Sequence, residues 1–348
     1  MRCSLVAITV LLTPDSTIAQ NASLSGQVIH AEDGAPLGYT SVSVLSQPAQ
    51  LLTSDAGTFH IVNLIPGEVR LRFRRIGFQP KDTTLHLAPD ENAQVRIGLT
   101  RLVLRLPAVV VSGQCTNDAP HAAKPQVLAE LFDQVTQNAE RMRLLAEAKP
   151  FLIQLVRIRG HRDRSNRIIA TYMDTIMRRP MPPERYQPKQ VLRPGEGIDA
   201  GRWLIALPEA PDIADTAFTN NHCFSYAGQS RFEADSVIEV AFEPVPWLDK
   251  EVDIEGTLYL RVEDYQLVGS ITRLNRIPAQ FRRSGLQDYT VRARFAEIVD
   301  GVPVLDKWEL TNRYRQPRSA FVEIGQVFNV RWTDSAAVTP DSTSSPRL

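Results

Sequence analysis

The sequence lacks an excess of charge of either sign. Its 348 residues include 39 Lys or Arg and 39 Asp or Glu, so the formal net charge is zero. A protein that binds nucleic acid without sequence preference needs a positive surplus to attract the phosphate backbone. The composition therefore argues against a nucleic-acid partner and is typical of an ordinary folded protein of about two domains.

Long apolar runs are also missing. No stretch approaches the roughly 18 consecutive apolar residues of a membrane-spanning helix, so we expect no transmembrane segment in the mature chain. The short run Leu5–Leu12 follows Arg2 and precedes Pro14, and Thr17 and Ala19 offer small residues for cleavage. This pattern predicts a signal peptide at residues 1–19. The alternative is a buried N-terminal strand.

Familiar catalytic motifs are absent as well. None of the six histidines begins the His-x-x-Glu or His-Glu pattern of a zinc carboxypeptidase. The sequence has no P-loop and no Gly-x-Gly-x-x-Gly, and Gly228–Phe232 lacks the last glycine of Gly-x-Ser-x-Gly. We therefore expect no catalytic residues, no metal ion and no cofactor. An unrecognised enzyme stays an alternative, although Glu251, Asp253 and Glu255 alternate along one predicted strand and should face solvent.

Cysteines are few. Removal of the signal peptide removes Cys3 and leaves Cys115 and Cys223, an even pair in an oxidising compartment. We predict a disulfide between them, with two unrelated buried thiols as the alternative. His222 precedes Cys223, but neighbours on a strand point to opposite faces, which is poor geometry for a Cys–His nucleophile.

What the sequence does contain is short strands. Period-2 apolar patterning and turn residues predict about seven of them over residues 23–112, which is typical of a β-sandwich. We expect Val42, Val44, Phe59, Ile61, Val69, Leu71 and Phe73 to face its core. The opposite set, expected to point outward, is Ser41, Ser43, His60, Arg70 and Arg72.

Landmarks in these strands occur in a recognisable order. They are Gly26-x-Val28, Gly34-x-Pro36-Leu37, Val42-x-Val44, Thr53-x-Asp55-x-Gly57-x-Phe59, Leu64-x-Pro66-Gly67 and Ile76-Gly77-Phe78. The segment resembles the carboxypeptidase-regulatory-like family. The resemblance implies a transthyretin-like Greek-key sandwich that serves as a non-catalytic accessory module.

The rest of the chain has a different pattern. Residues 113–125 are predicted to be a linker, and apolar residues at helical spacing predict one amphipathic helix over Gln126–Ala148. The following runs predict an antiparallel sheet, so residues 126–332 form an α+β domain of unknown function, and 333–348 a disordered tail. The fold class is thus mainly β: a sandwich followed by a helix and a curved antiparallel sheet.

One hairpin in the second domain carries a further resemblance. Gly256–Leu267 is similar to the repeating hairpins of lipoprotein-carrier-like half-barrels, in which a curved sheet wraps around a helix. That resemblance implies the capacity to hold lipid. A sandwich followed by three further motifs also resembles exported bacterial proteins without a known activity. These motifs are His222-Cys223-Phe224, Ala241-Phe242-Glu243-Pro244 and Gly256-Thr257-Leu258.

A basic run offers a candidate ligand site. Five arginines fall between residues 157 and 167, namely Arg157, Arg159, Arg162, Arg164 and Arg167. Together they could bind an anionic group such as a lipid phosphate. The alternative is a solvated hairpin face neutralised by neighbouring carboxylates.

These observations predict an exported, non-enzymatic envelope protein, located in the periplasm or at the outer membrane. Its role would be binding or scaffolding through the regulatory-like sandwich, with an envelope protein, a glycan or a lipid as partner. The alternatives are a carrier of lipid or another hydrophobic ligand on the second domain, or an accessory glycan- or peptide-binding protein.

Overall fold

The first half of the fold is a sandwich of two sheets. The computed structural model describes residues 21–106, 111–112, 126–163, 165, 167–180, 186–194, 203–205, 208–248, 250–283, 285–299, 302–315 and 321–333. The sandwich strands are β1 (Ala22–His30), β2 (Ser41–Val44), β3 (Ala49–Leu52), β4 (Thr58–Leu64), β5 (Gly67–Arg74), β6 (Lys81–Leu87) and β7 (Asn92–Leu99). One sheet has the order β4-β1-β7, with β1 antiparallel to β4 and parallel to β7, and the other has the order β3-β2-β5-β6.

Strand alternation builds the core of the sandwich. All seven side chains predicted to point inward are buried, including Val42, Leu71 and Phe73. Ser41 was predicted to point outward, and this is wrong because Ser41 is buried as well. Its hydroxyl accepts a hydrogen bond from Gln50, whose side chain in turn contacts the helix of the second half. The outer side of this sheet is therefore covered around Ser41, whereas Arg70 and Arg72 remain exposed as predicted.

The second half is one large antiparallel sheet. Its strands are β8 (Val111–Ser112), β9 (Phe151–Arg162), β10 (Ile168–Arg178), β13 (His222–Phe232), β14 (Asp235–Pro244), β15 (Ile254–Arg261), β16 (Leu267–Leu274), β17 (Leu286–Val299), β18 (Val302–Tyr314) and β19 (Phe321–Trp332). Their order is β10-β9-β19-β18-β17-β16-β15-β14-β13-β8. The sheet is curved and does not close into a barrel, which confirms the predicted fold class.

Helix α1 (Gln126–Ala148) fills the inner face of this sheet. The stripe of α1 that includes Leu131, Val135 and Met142 is buried in one core with sheet residues such as Leu258 and Val291. Burial of such side chains stabilises the fold by about 1.5–3 kcal/mol each. The face that carries α1 is called the inner face below, and the opposite one the outer face.

Among the described residues, three shorter helices accompany α1. The sequence predicts one helix, whereas the structure adds α2 (Ala210–Ala214), α3 (Thr216–Asn221) and α4 (Ala279–Arg283). These segments have five or six residues, too short to show a helical period. The sequence also predicts a long loop over residues 181–201, but within it Leu192–Pro194 form strand β11, which pairs with β12 (Trp203–Ile205) just beyond it.

The sandwich docks on the polar side of α1. The backbone N–H of Gly77 donates to Gln134 Oε1 at 2.8 Å, and Arg74 forms ion pairs with Asp133 and Glu140. Arg141 is buried beside this contact, where burial and the charge of Arg75 lower its pKa to about 10. The helix is thus enclosed on two sides.

The connection between the halves joins the large sheet. The sequence predicts a strand over Val103–Val111, but residues 102–106 form none, and β8 pairs with β13. The N–H of Leu104 donates to the Tyr265 hydroxyl at 3.1 Å, in the hairpin between β15 and β16. This segment is therefore held by the second half of the chain.

Candidate ligand-binding groove

A groove of about 460 Å³ lies on the outer face of the large sheet. It crosses β13, β14, β15 and β16. Its lining residues are Cys223, Phe224, Ser225, Ala241, Phe242, Glu243, Glu255, Gly256, Thr257, Tyr259, Ile271 and Arg273. The volume is within the range of about 300–1,000 Å³ that is usual for small-molecule sites.

Small side chains form the floor of this outer groove. Ser225, Ala241, Thr257 and Ile271 are successive cross-strand partners, so their side chains line up in one row on the outer face. The neighbours Phe224 and Phe242 point to the inner face and are buried in the core. The row leaves a depression because three of its four members are small.

The aromatic ring of Tyr259 forms one wall. Tyr259 stacks on Phe232, with ring centroids 4.5 Å apart, and the Arg292 guanidinium lies 4.3 Å from the Phe232 centroid. Glycine at position 269 permits this, because a Cβ there would lie 2.3 Å from the Phe232 ring. Burial and the charge of Glu239 raise the pKa of Tyr259, so its hydroxyl stays protonated and can donate a hydrogen bond.

Charged groups line the opposite end. Arg273 Nε donates to Glu255 Oε1 at 2.6 Å, and both side chains are partly exposed. Glu243 lies across from Cys223 and is exposed. The outer groove thus offers planar acceptors and donors beside an aromatic ring.

A buried polar cluster lies on the inner face behind the groove. The Tyr186 hydroxyl donates to Asp253 Oδ2 at 2.9 Å, and His222 Nε2 lies 3.8 Å from Asp253 Oδ1. The two ring nitrogens of His222 contact the carbonyl oxygens of Phe218, at 2.9 Å, and Ile254, at 3.0 Å. Burial lowers the pKa of His222 and raises that of Asp253.

This cluster corrects one expectation. Asp253 was predicted to share a solvent face with Glu251 and Glu255, and this is wrong because its side chain is fully buried. The strand begins only at Ile254, so the alternation does not extend back to Asp253. Glu255 does face outward, and Glu251 is exposed near Lys189. The cluster is buried and joins α3 to the sheet.

The structure separates the arginines of the basic run. Arg157 and Arg159 are buried on the inner face and pair with Asp174, at 2.7 Å, and Glu323, at 2.6 Å. Arg162 pairs with Glu309, and Arg167 has a side chain 80% exposed, 3.2 Å from Asp163. Arg164 lies outside the described residues. The anionic-ligand patch stays a prediction, and Arg167 is its most exposed described member.

The predicted disulfide involves a residue of the groove. Strand alternation places Cys223 in the outer groove and His222 in the core, as expected for neighbours on β13. Cys115 lies outside the described residues, so the Cys115–Cys223 bridge stays a prediction. Residues 1–19 and 334–348, assigned to the signal peptide and tail, lie outside them too.

The described residues contain neither a cluster of metal-ligand side chains nor a membrane-spanning helix. They contain no group of three or more His, Cys, Asp or Glu side chains arranged to hold a metal ion. Within the same residues, no helix has the length and apolar character needed to cross a membrane.

The order of strands and turns in the sandwich agrees with a known family. Residues 23–100 match the carboxypeptidase regulatory-like domain. This match confirms the resemblance seen in the sequence and covers the regulatory-like domain alone. No curated protein matches the chain.

Solved structures give distant similarities over longer spans. A DUF1329 family protein from Desulfovibrio piger is 8% identical with a TM-score of 0.32, covering 59% of this chain and 95% of that one. A candidate carbohydrate-binding protein from Bacteroides uniformis is 7% identical with a TM-score of 0.20, covering 65% and 91%. A candidate membrane-associated protein of unknown function from Bacteroides fragilis is 9% identical with a TM-score of 0.20, covering 90% and 98%.

Proposed function

We propose that this chain is a non-enzymatic binding protein of the bacterial envelope that holds a carbohydrate in the outer groove. The regulatory-like domain would act as an accessory module that orients the groove. Export, in this proposal, rests on the sequence of residues 1–19 and on the proposed bridge between Cys115 and Cys223.

The observation that carries the proposal is the composition of the groove. A sugar ring presents a C–H face and a rim of hydroxyl groups. Tyr259 offers an aromatic surface for the C–H face of the sugar. Glu255 and Arg273 offer hydrogen-bond acceptors and donors for its hydroxyl groups. The small floor residues Ser225 and Thr257 leave room for the ring and add hydroxyl groups.

The inner face is less suited to a ligand. A lipid carrier needs an apolar cavity between sheet and helix. Here that space contains the packed side chains of α1 together with Phe218 and Phe242. The carrier alternative is therefore the weaker of the two binding proposals.

An enzymatic role is also less well supported. The cluster of Tyr186, His222 and Asp253 combines titratable groups, but it lies on the inner face and is buried. A substrate in the outer groove would be separated from it by the sheet. We assign this cluster to stability.

The proposal can be tested on a glycan array, followed by calorimetry with the best oligosaccharide. Tyr259→Ala should weaken binding about 10- to 100-fold, since a buried aromatic contact contributes about 1.5–3 kcal/mol and 1.4 kcal/mol is tenfold. Thr257→Trp should fill the groove and abolish binding. Tyr172→Ala, at a partly exposed tyrosine on β10, is the matched control and should bind normally.

Two outcomes would overturn the proposal. The first is an array on which folded protein retains no carbohydrate. The second is a carbohydrate whose affinity is the same for the wild type, Tyr259→Ala and Thr257→Trp.

A further inference from the structure

Strand β10 is a long edge strand. Among the described residues it pairs with β9 only, and it ends the sheet order. Half of its backbone N–H and C=O groups therefore point away from the sheet. Edge strands are often protected by Pro or Lys, by bulges or by inward-pointing charges. The eleven residues Ile168–Arg178 contain no Pro or Lys, their register shift lies before Tyr172, and the charge of Asp174 is already paired with Arg157. By contrast, the edge strand β6 of the sandwich begins with Lys81 and Asp82.

The outer face of β10 is apolar and exposed. Met173 and Met177 are 60% and 45% exposed, and Thr175 between them is exposed too. On β9, Met173 is paired with Ile158, Thr175 with Val156 and Met177 with Gln154. An exposed edge with apolar side chains is a template for another strand.

We propose that β10 pairs antiparallel with β10 of a second copy of this chain, about a two-fold axis at Thr175. A register shift between Ala170 and Tyr172 leaves Tyr172–Arg178 as the regular part of the strand, and Thr175 is its midpoint. Antiparallel pairing of identical segments is the strand arrangement that a two-fold axis generates. The regular segment therefore sets the register.

This register is self-complementary. On the outer face, Met173 lies opposite Met177 of the second copy and forms an apolar pair. Thr175 lies opposite Thr175 of the second copy and forms a hydroxyl pair. Cross-strand pairs of both kinds stabilise sheets. On the inner face, Asp174 lies opposite Ile176. Asp174 already pairs with Arg157, and Arg178 with Glu209, so the register brings no like charges together.

Sedimentation velocity over a concentration series tests the pairing. The wild type should sediment as a dimer that dissociates on dilution. Thr175→Lys and Thr175→Glu should each be monomeric, since both place like charges face to face on the axis. An equimolar mixture of the two variants should regain the dimer. The matched control is Thr84→Lys on β6, which should leave the mass unchanged.

The charge-reversed mixture separates loss of pairing from loss of folding, because misfolded chains would not reassociate in register. A wild type that is monomeric at every concentration would refute the proposal. A dimer that survives Thr175→Lys would place the interface elsewhere. Capture of a different protein by monomeric wild type would assign the edge to that partner and also overturn self-pairing.

Discussion

Replacement of Asp253 by alanine should destabilise the protein without changing the outer groove. The Asp253 carboxylate is fully buried on the inner face. It accepts hydrogen bonds from the Tyr186 hydroxyl, at 2.9 Å, and from the N–H of Ile254, at 2.8 Å. The truncation therefore leaves two buried donors without this acceptor.

The expected magnitude follows from those two donors. Each buried donor without a partner costs about 1–3 kcal/mol, or about 2–6 kcal/mol for the pair. Burial raises the pKa of Asp253, so removal of the carboxylate also relieves part of an unfavourable desolvation. We expect a net loss of about 3 kcal/mol in the free energy of unfolding, and a melting temperature lower by about 6–12 °C.

Circular dichroism with urea and heat measures this change. The control is Asp235→Ala, since Asp235 is partly exposed and its ion pair with Arg261 spans 4.0 Å, so we expect a loss below about 1 kcal/mol. Wild-type stability of Asp253→Ala would refute the argument from buried donors. A stable Asp253→Ala that no longer binds carbohydrate would refute the structural assignment of the cluster.

Two further predictions concern charged groups. Burial lowers the pKa of His222, so the unfolded chain takes up a proton below about pH 6.5 that the folded chain resists. The free energy of unfolding should therefore fall as the pH decreases through that region. Urea unfolding at pH 7.5 and 5.5 should show a smaller pH dependence for His222→Gln than for the wild type, and an equal pH dependence would contradict the prediction. Arg157→Ala should lower the free energy of unfolding by about 3–5 kcal/mol in the same assay, because it leaves the Asp174 carboxylate buried without its counter-charge. Arg167→Ala, at an exposed pair, is the control and should lower it by about 0–1 kcal/mol. Equal losses for the two variants would count against the burial of Arg157.

Regular periodicity accounts for what the sequence predicts well. Helix α1 has the predicted bounds, Gln126–Ala148. Alternation along β5 correctly assigns Val69, Leu71 and Phe73 to the core. In these segments one face is buried along the whole element, so the pattern stays in phase.

The candidate groove could not be predicted because its first strand, β13, does not keep a regular alternation of apolar and polar residues. In β13 the inward residues His222, Phe224 and Tyr226 alternate, but the register shifts at Gly228, which has a φ of +115°. The phase of alternation changes in mid-strand, so neither half is long enough to stand out. The row of small residues on the floor also depends on cross-strand register, which a single sequence does not contain.

The contact between the sandwich and helix α1 could not be predicted from the sequence either. The apolar stripe of α1 predicts one buried face, and the opposite stripe, with Gln134 and Arg141, has the composition of a solvated surface. Both residues are buried because the sandwich covers them. Apolar contacts fix α1 to the sheet, whereas directional contacts such as Gly77 to Gln134 fix the angle at which the sandwich sits. A hydrogen-bonded interface of this kind adds orientation more than stability.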